Sequence, residues 1–388
     1  MIPKHFWTEI LLMLDFKLEI PFFDAKAAYS HQQEKLDNAI QRVLSHGSYI
    51  NGPEVSAFAL NLAEYLDIAQ VVPCGNGTDA LMLALMALEL KKGDEVIIPA
   101  FNFVAAAEAV ALLGLTPVFV DVDETSFNIN ASSFEQKINN KTKAIIVVHL
   151  FGLAAQMEQI VELAVQNNLI VIEDVAQALG GNYQHKKLGT IGHIGCTSFF
   201  PTKNLACFGD GGAVFTDNLD LAKKIKMLAN HGQQQKYEHT YIGINSRLDT
   251  IQAAILNIQL KYLGALIEKR RAMATYYLQN LKGISCISLP PESEDHTYNQ
   301  FCILLANRAL RDQLKAFLEK HGVGSMVYYP KATHLQPAFS RFGFKEGDFP
   351  VAERLCHSIL ALPIFPGLAP VNQAHIVALI RSFADEIK

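Results

Sequence analysis

Between about residue 70 and residue 216, short apolar runs alternate with longer helical stretches, and few folds accommodate that rhythm. The runs are VVPC (71–74), EVIIPA (95–100), PVFVDV (117–122), AIIVVHL (144–150), LIVIED (169–174), CTSFF (196–200) and AVFT (213–216). Several are apolar without interruption, as strands are when helices cover both their faces. TDALMLALMALEL (78–90) and MEQIVELAVQNN (157–168) supply helices between them. Alternation of this kind predicts an α/β fold with a mostly parallel sheet.

A sheet of that type also says where chemistry belongs. Ligands gather beyond the carboxyl ends of the strands. Gly75–Thr78, Phe101–Phe103, His149, Asp174–Gln177 and the segment after Phe200 all follow strand ends. They are distant in sequence, yet the fold brings them to one rim. After about residue 250 the pattern becomes long and helical. A turn-rich segment, LPPESEDHTYN (289–299), then leads into a second, smaller α/β region. The expected division is an extension over 1–18, a large domain over 19–265 and a small domain over 266–388.

Bulk properties narrow the function classes. Half of the 388 residues are hydrophobic, enough for a substantial core. The net charge of −5 is spread without long blocks, so nothing resembles a basic groove for nucleic acid. Six scattered cysteines form no CxxC pair, which argues against a zinc site or a disulfide framework and fits buried thiols in a reducing cytoplasm. The N-terminal run MIPKHFWTEILLMLDFKLEI is broken by Glu9 and Asp15, and no small-residue cleavage site follows. It is read as neither a signal peptide nor a membrane span, with Met13 as an alternative start. A cytoplasmic protein without metal or membrane partner is expected.

Three motifs carry chemistry. In Cys74-Gly75-Asn76-Gly77-Thr78-Asp79-Ala80 a strand ends, two glycines turn and a helix begins, which makes a phosphate cradle from free amides and the helix dipole. The same letters fit a dinucleotide fingerprint. That reading needs an acid at the end of the next strand, whereas EVIIPA has Asp94 and Glu95 at its start. In LIVIEDVAQALG, Asp174 ends a buried strand, where a carboxylate is costly without a cation. A protonated pyridine nitrogen would be such a partner; the plainer alternative is a helix cap. In CTSFFPTKNLACFGDGGAVFT, Lys203 stands among aromatic and small residues that would desolvate its amine.

The ordered set GNGTDAL, GDEVIIP, VIEDVAQALG, TSFFPTKNL, GDGGA and NSRLDTIQAAIL resembles the DegT/DnrJ/EryC1/StrS family of sugar aminotransferases, from about residue 19 to the C-terminus. The resemblance implies the aspartate-aminotransferase fold (fold type I of the pyridoxal-phosphate enzymes) and a homodimer with active sites at its interface. It also implies pyridoxal 5'-phosphate (PLP) held by Lys203 as a Schiff base, with Asp174 on the pyridine nitrogen. Gln177 would lie near the phenolic oxygen, Gly77, Thr78 and Ser198 on the phosphate, and Phe103 against the ring. Asn245 would reach the phosphate from the other subunit, and Arg247 would lie near the substrate. On the residues alone, NSRLD is also a helix N-terminus that Ser246 or Asp249 could cap.

Substrate contacts are expected from two further segments. GSYINGPEV (47–55) resembles a substrate-side loop and makes Tyr49 a candidate. VYYPKATHLQ (327–336) contributes Tyr329, Lys331 and His334; Tyr328 stands where the family usually has histidine. Relatives with histidine at the lysine position are dehydratases, and Lys203 argues against that branch. The segments 42–55 and 231–256 look most like enzymes that aminate carbon 3 of UDP-2-acetamido-2-deoxy-3-oxo sugars, the glucuronate included, with L-glutamate as donor. The product would feed a bacterial surface polysaccharide. Arg247, Lys236 and Lys331 are candidate partners for a uronate carboxylate. A dTDP- or UDP-linked keto-6-deoxy sugar is the alternative substrate. A nicotinamide-dependent sugar dehydrogenase and a non-catalytic cofactor-binding regulator are the alternatives of other classes.

Overall fold

The computed structural model describes residues 19–30, 32–129 and 131–387, so the expected extension over 1–18 lies outside it. All seven expected strands form one sheet: β1 (Gln70–Cys74), β2 (Glu95–Pro99), β3 (Thr116–Val120), β4 (Thr142–Val148), β5 (Ile170–Asp174), β6 (Ile194–Ser198) and β7 (Gly212–Thr216). Their order is β1-β7-β6-β5-β4-β2-β3. The neighbours from β3 through β6 run parallel, and β7 lies antiparallel to both β6 and β1.

Uninterrupted apolarity follows from burial on both faces. Along β4, Ala144, Ile146 and Val148 enter one core while Ile145 and Val147 enter the opposite one. Successive strand side chains alternate sides, so a strand with no wet face needs an apolar residue at every position. The helices Gly77–Ala87 and Ala105–Leu112 cover the first face, and Met157–Gln166 covers the second.

Register levels the strand ends. Val148 pairs with Asp174, and Asp174 with Cys196. Gly212 stands opposite both Ser198 and Cys74. Four motifs separated by up to 124 residues, from Cys74 to Ser198, therefore finish along one edge through backbone pairing alone (roughly a row of strands 5 Å apart).

The second region is a three-stranded antiparallel sheet of β8 (Ile287–Ser288), β9 (Phe301–Leu305) and β10 (Ile359–Leu362). It packs against helices Leu263–Leu281, Arg308–Lys320 and Pro370–Glu386 through Tyr277, Phe301, Leu314 and Ile380. The expected boundary at 265/266 falls inside one of these helices. Helix Leu263–Leu281 crosses it unbroken, and Ile20 joins the second core and pairs with Val323. Ala332, Phe339 and Phe349 conversely pack into the first core. Thr333 secures that crossing, with its amide on Ala100 O at 2.9 Å and its hydroxyl on Asn102 O at 3.0 Å.

The helical stretch Thr250–Leu281 is long and apolar enough to cross a membrane by length and composition. Its apolar residues Ala253, Leu256, Leu263 and Ile267 are core contacts instead.

Candidate active site

Asp174 ends β5 beside the loop that carries Lys203. Burial raises its carboxyl above the ordinary carboxylate range, against the opposing pull of the Ala176 amide, Lys203 and His149. Oδ1 accepts from Ala176 N at 2.9 Å within a turn; no helix follows β5 there, so the helix-cap alternative does not hold. That single bond leaves most of the carboxylate's acceptor capacity open. Such a group calls for a cation or a proton-bearing nitrogen.

Lys203 is held by its surroundings on several sides. Its amide donates to Phe200 O at 2.9 Å, and Cys207 N closes the loop on Phe199 O at 2.8 Å. From the second region, Asn299 Nδ2 reaches Thr202 O and Asn204 Oδ1, both at 3.1 Å. Burial lowers the Lys203 pKa, and the Asp174 charge partly restores it. A desolvated amine of this kind is available as a nucleophile at a lower pH than a surface lysine.

Behind Asp174 lies a pair whose role the sequence reading had not identified. Glu173 and His149 are both fully buried. The Glu173 carboxylate accepts from the amides of Gly189, Ile191 and Gly192 at 2.6–2.8 Å and stands 3.0 Å from His149 Nε2. His149 Nδ1 accepts from Ala155 N, which assigns the proton to Nε2 and makes it the fourth donor to Glu173. The His149 amide donates to Asp174 O at 3.1 Å, so the pair fixes the strand end that carries Asp174. A charged residue in the middle of an apolar run was the available signal.

The turn after β1 packs closely against the end of β6. A Cβ on Gly77 would lie 2.6 Å from the Ser198 Cβ, so only glycine lets the turn close on the end of β6. Asn76 caps the helix by accepting from Asp79 N at 2.8 Å. Among the described residues, the amides of Gly77 and Thr78 have no acceptor, and they stand at the positive end of the helix beside Ser198. Gln177 accepts from Phe151 N at 2.7 Å and donates to the Tyr329 hydroxyl at 3.1 Å. Phe103 is 55% exposed, and its ring lies 6.2 Å from that of Tyr329. Phosphate cradle, buried amine, under-bonded acid and open aromatic face together suit PLP.

Other expected residues lie elsewhere. Arg247 donates to Asn230 Oδ1 at 3.2 Å and lines a groove of about 830 Å³ with Asn51, Lys223, Lys226 and Gln234. The cavity beside Lys203, about 90 Å³, shares none of its lining with that groove. Tyr49 is half exposed, and its carbonyl accepts from Thr250 N, close in sequence to Arg247. Asn245 is exposed. Ser246 caps no helix: it accepts from Gly75 N at 2.9 Å and donates to Asp79 at 2.6 Å, tying NSRLD to the phosphate turn. Asp249 precedes the helix Thr250–Gln259 without a side-chain cap bond.

In the remaining segment Lys331 is exposed, whereas His334 faces the core. His334 Nε2 pairs with Glu353 at 3.1 Å, and its ring packs between Phe119 and Phe349. Burial lowers its pKa against the pull of Glu353. An adjacent sequence position does not imply a shared direction, and the expected substrate contact at His334 has no open path.

Comparison with known proteins agrees with this geometry. The DegT/DnrJ/EryC1/StrS aminotransferase family matches residues 30–381. The UDP-N-acetyl-3-dehydro-alpha-D-glucosamine 3-aminotransferase of Acidithiobacillus ferrooxidans is 42% identical over 93% of this chain and 97% of its own length. The UDP-2-acetamido-2-deoxy-3-oxo-D-glucuronate aminotransferase of Pseudomonas aeruginosa is 40% identical over 94% of this chain and 100% of its own. A pleiotropic regulatory protein of Geobacillus stearothermophilus is 40% identical over 94% and 99%. The crystal structure of NtdA from Bacillus subtilis, with bound cofactor PMP, is 32% identical with a TM-score of 0.89, covering 95% of this chain and 85% of that one.

Proposed function

The chain belongs to the DegT/DnrJ/EryC1/StrS aminotransferase family, a family of PLP-dependent enzymes acting on nucleotide sugars, and from that premise we propose that it transfers the amino group of L-glutamate to carbon 3 of UDP-2-acetamido-2-deoxy-3-oxo-glucuronate or of its non-oxidised glucose form. The amino sugar would enter a bacterial surface polysaccharide, and the enzyme would work in the cytoplasm as a homodimer. The observation that carries amino transfer is the pairing of a desolvated Lys203 with an under-bonded Asp174. The UDP-3-oxo sugar rests on the names of two relatives at 42% and 40% identity.

Each residue then has a task. Bound PLP supplies an aldehyde that carries the amino group and a ring that draws electrons. Lys203 would hold the aldehyde carbon at rest; once displaced, its Nζ would take the proton from the donor's α-carbon and later deliver one to the sugar carbon. Asp174 would keep a proton on the ring nitrogen, and His149 and Glu173 would hold Asp174 in place. The amides of Gly77 and Thr78 and the Ser198 hydroxyl would bind the phosphate. Gln177 would lie by the phenolic oxygen, and Phe103 would cover the ring. Tyr49, Asn245 and Arg247, set apart from the Lys203 cavity, would serve the site of the other subunit. Arg247, Lys236 and Lys331 are the cations available to a uronate, and Tyr329 flanks the approach.

Purified protein tests this directly. A visible absorption band that glutamate bleaches, and that borohydride fixes onto Lys203, is expected. Synthetic UDP-3-keto sugars with and without the carboxylate, assayed by mass spectrometry, decide the sugar. Label on a lysine other than Lys203 would overturn the assignment.

A further inference from the structure

A buried run from His296 to Gln300 leads into β9 and touches three strand-end loops of the candidate site. Beyond β4, Thr297 N donates to Gly152 O at 3.0 Å and Gln300 N to Phe151 O at 3.4 Å. Beyond β5, the Thr297 hydroxyl reaches Gln177 O at 3.3 Å. Beyond β6, Asn299 Nδ2 donates to Thr202 O and Asn204 Oδ1. Thr202 and Asn204 flank Lys203 in the chain, so this last pair of bonds holds the lysine's neighbours on both sides.

The direction of the Asn299 amide is forced. Asn204 Nδ2 donates to Leu179 O at 3.3 Å, which turns Asn204 Oδ1 toward Asn299. Thr202 O is a carbonyl and only accepts. Both neighbours therefore require Nδ2 of Asn299, and its Oδ1 is left buried with no donor among the described residues. An orphaned buried acceptor is destabilising, so a residue present for packing alone would be better without the amide. The backbone beneath it is anchored as well. From helix Leu263–Leu281, Arg270 Nη1 donates to the carbonyls of Ile364, Asn299 and Tyr298 at 2.6, 3.2 and 3.4 Å, and Arg271 Nε to His296 O at 3.1 Å.

We propose that Asn299 is a positioning residue for Lys203, acting through Thr202 and Asn204 to fix the point at which the lysine side chain leaves its loop. The catalytic consequence rests on the amino-transfer reading. In that reaction one amine must be displaced, move protons and return to the same place. A misplacement of about 1 Å in such geometry costs on the order of 100-fold. The second region thereby supports catalysis without lending a group to the reaction.

Hydrogen exchange and single-turnover kinetics test it. In holoenzyme carrying Asn299→Ala, the amides of Lys203 and Cys207, which close the loop on Phe200 O and Phe199 O, should exchange about 10-fold faster. The single-turnover rate at saturating glutamate should fall about 10-fold, while the half-saturating concentration stays within about two-fold. Tyr277→Phe is the control. It deletes another buried bond of the second region, from the Tyr277 hydroxyl to Pro363 O at 2.9 Å, and should lower the melting temperature without moving either reading. Asn299→Ser, whose hydroxyl is too short to span the gap, carries the same test if Asn299→Ala does not fold. Loop exchange or single-turnover rate no different from Tyr277→Phe would overturn the proposal. Faster loop exchange, in a protein whose wild type takes no borohydride label on Lys203, would uphold the positioning role and refute the amino-transfer reading.

Discussion

The strand-end group around Lys203 and the outer group of Tyr49, Asn245 and Arg247 are built on opposite terms. Asp174, Lys203 and Gln177 stand on or just after buried strands, with neighbours that fix them from two or three sides. Tyr49 and Asn245 are exposed, and Arg247 holds one side-chain bond at the edge of an open groove. The first group carries groups whose charge is suppressed by burial. The second group stands where water reaches it. Chemistry that needs a perturbed proton must be enclosed by its own chain, whereas recognition of a large substrate can be left to a surface that another subunit or the substrate completes.

Removing Lys203 should have the largest effect. Lys203→Ala should abolish turnover and borohydride labelling while the fold persists, since the loop is held by backbone and asparagine bonds rather than by the amine. Asp174→Ala comes next, at about 4 kcal/mol or more in the barrier, a loss on the order of 10³-fold. Steady-state rates at saturating substrate check both. Asp174 also sets a pH dependence with a definite sign. Its negative charge raises the Lys203 pKa that burial lowers. In Asp174→Asn the midpoint for reductive labelling of Lys203 should therefore move to lower pH, because less alkaline solution then suffices to free the amine. A shift to higher pH would break the picture of a coupled pair.

Glu173 tests how deep the enclosure goes. Its carboxylate takes four donors, and a carboxamide offers only one oxygen to them. Glu173→Gln should cost about 1–3 kcal/mol at Asp174's strand end, roughly 10- to 100-fold in cofactor affinity read by apoprotein titration. A smaller, differently shaped loss belongs to the outer group. Arg247→Ala should raise the sugar KM by about 10-fold with Lys203 labelling unchanged. If the groups meet across a dimer, mixing Lys203→Ala with Arg247→Ala protein should restore intact sites in about a quarter of positions, since each mixed pair holds one. No recovery would place Arg247 with its own chain's Lys203.

What the sequence showed and what it hid follow the same division. Every strand of the large sheet was legible because burial on both faces writes an unbroken apolar run, and strand ends then located Asp174, Gln177 and Lys203. Contacts made by long-range pairing were not legible. Ile20 joins the far core through Val323, and Asn299 staples the Lys203 loop from nearly a hundred residues away. His334 shows the limit of a motif. Tyr329 of the same segment reaches Gln177, but the direction of His334 is set by Phe119, Phe349 and Glu353, which lie on other segments.

Tyr329 reaches the enclosed group from the second region, and its removal should have the smallest effect. Its hydroxyl accepts from Gln177 Nε2, while Phe151 N holds the other end of that amide. Its ring lies 6.0 Å from Phe101 and 6.2 Å from Phe103. Tyr329→Phe keeps the ring contacts and deletes only the acceptor. Gln177 then keeps one of its two anchors, and a water at the open rim can replace the other, so the cost should be about 0.5–1.5 kcal/mol, a few-fold in kcat. Cofactor affinity should follow kcat if Gln177 orients PLP, and sugar KM should follow instead if the hydroxyl touches the substrate. The first outcome assigns the Tyr329 hydroxyl to the enclosed group, and the second assigns it to substrate recognition.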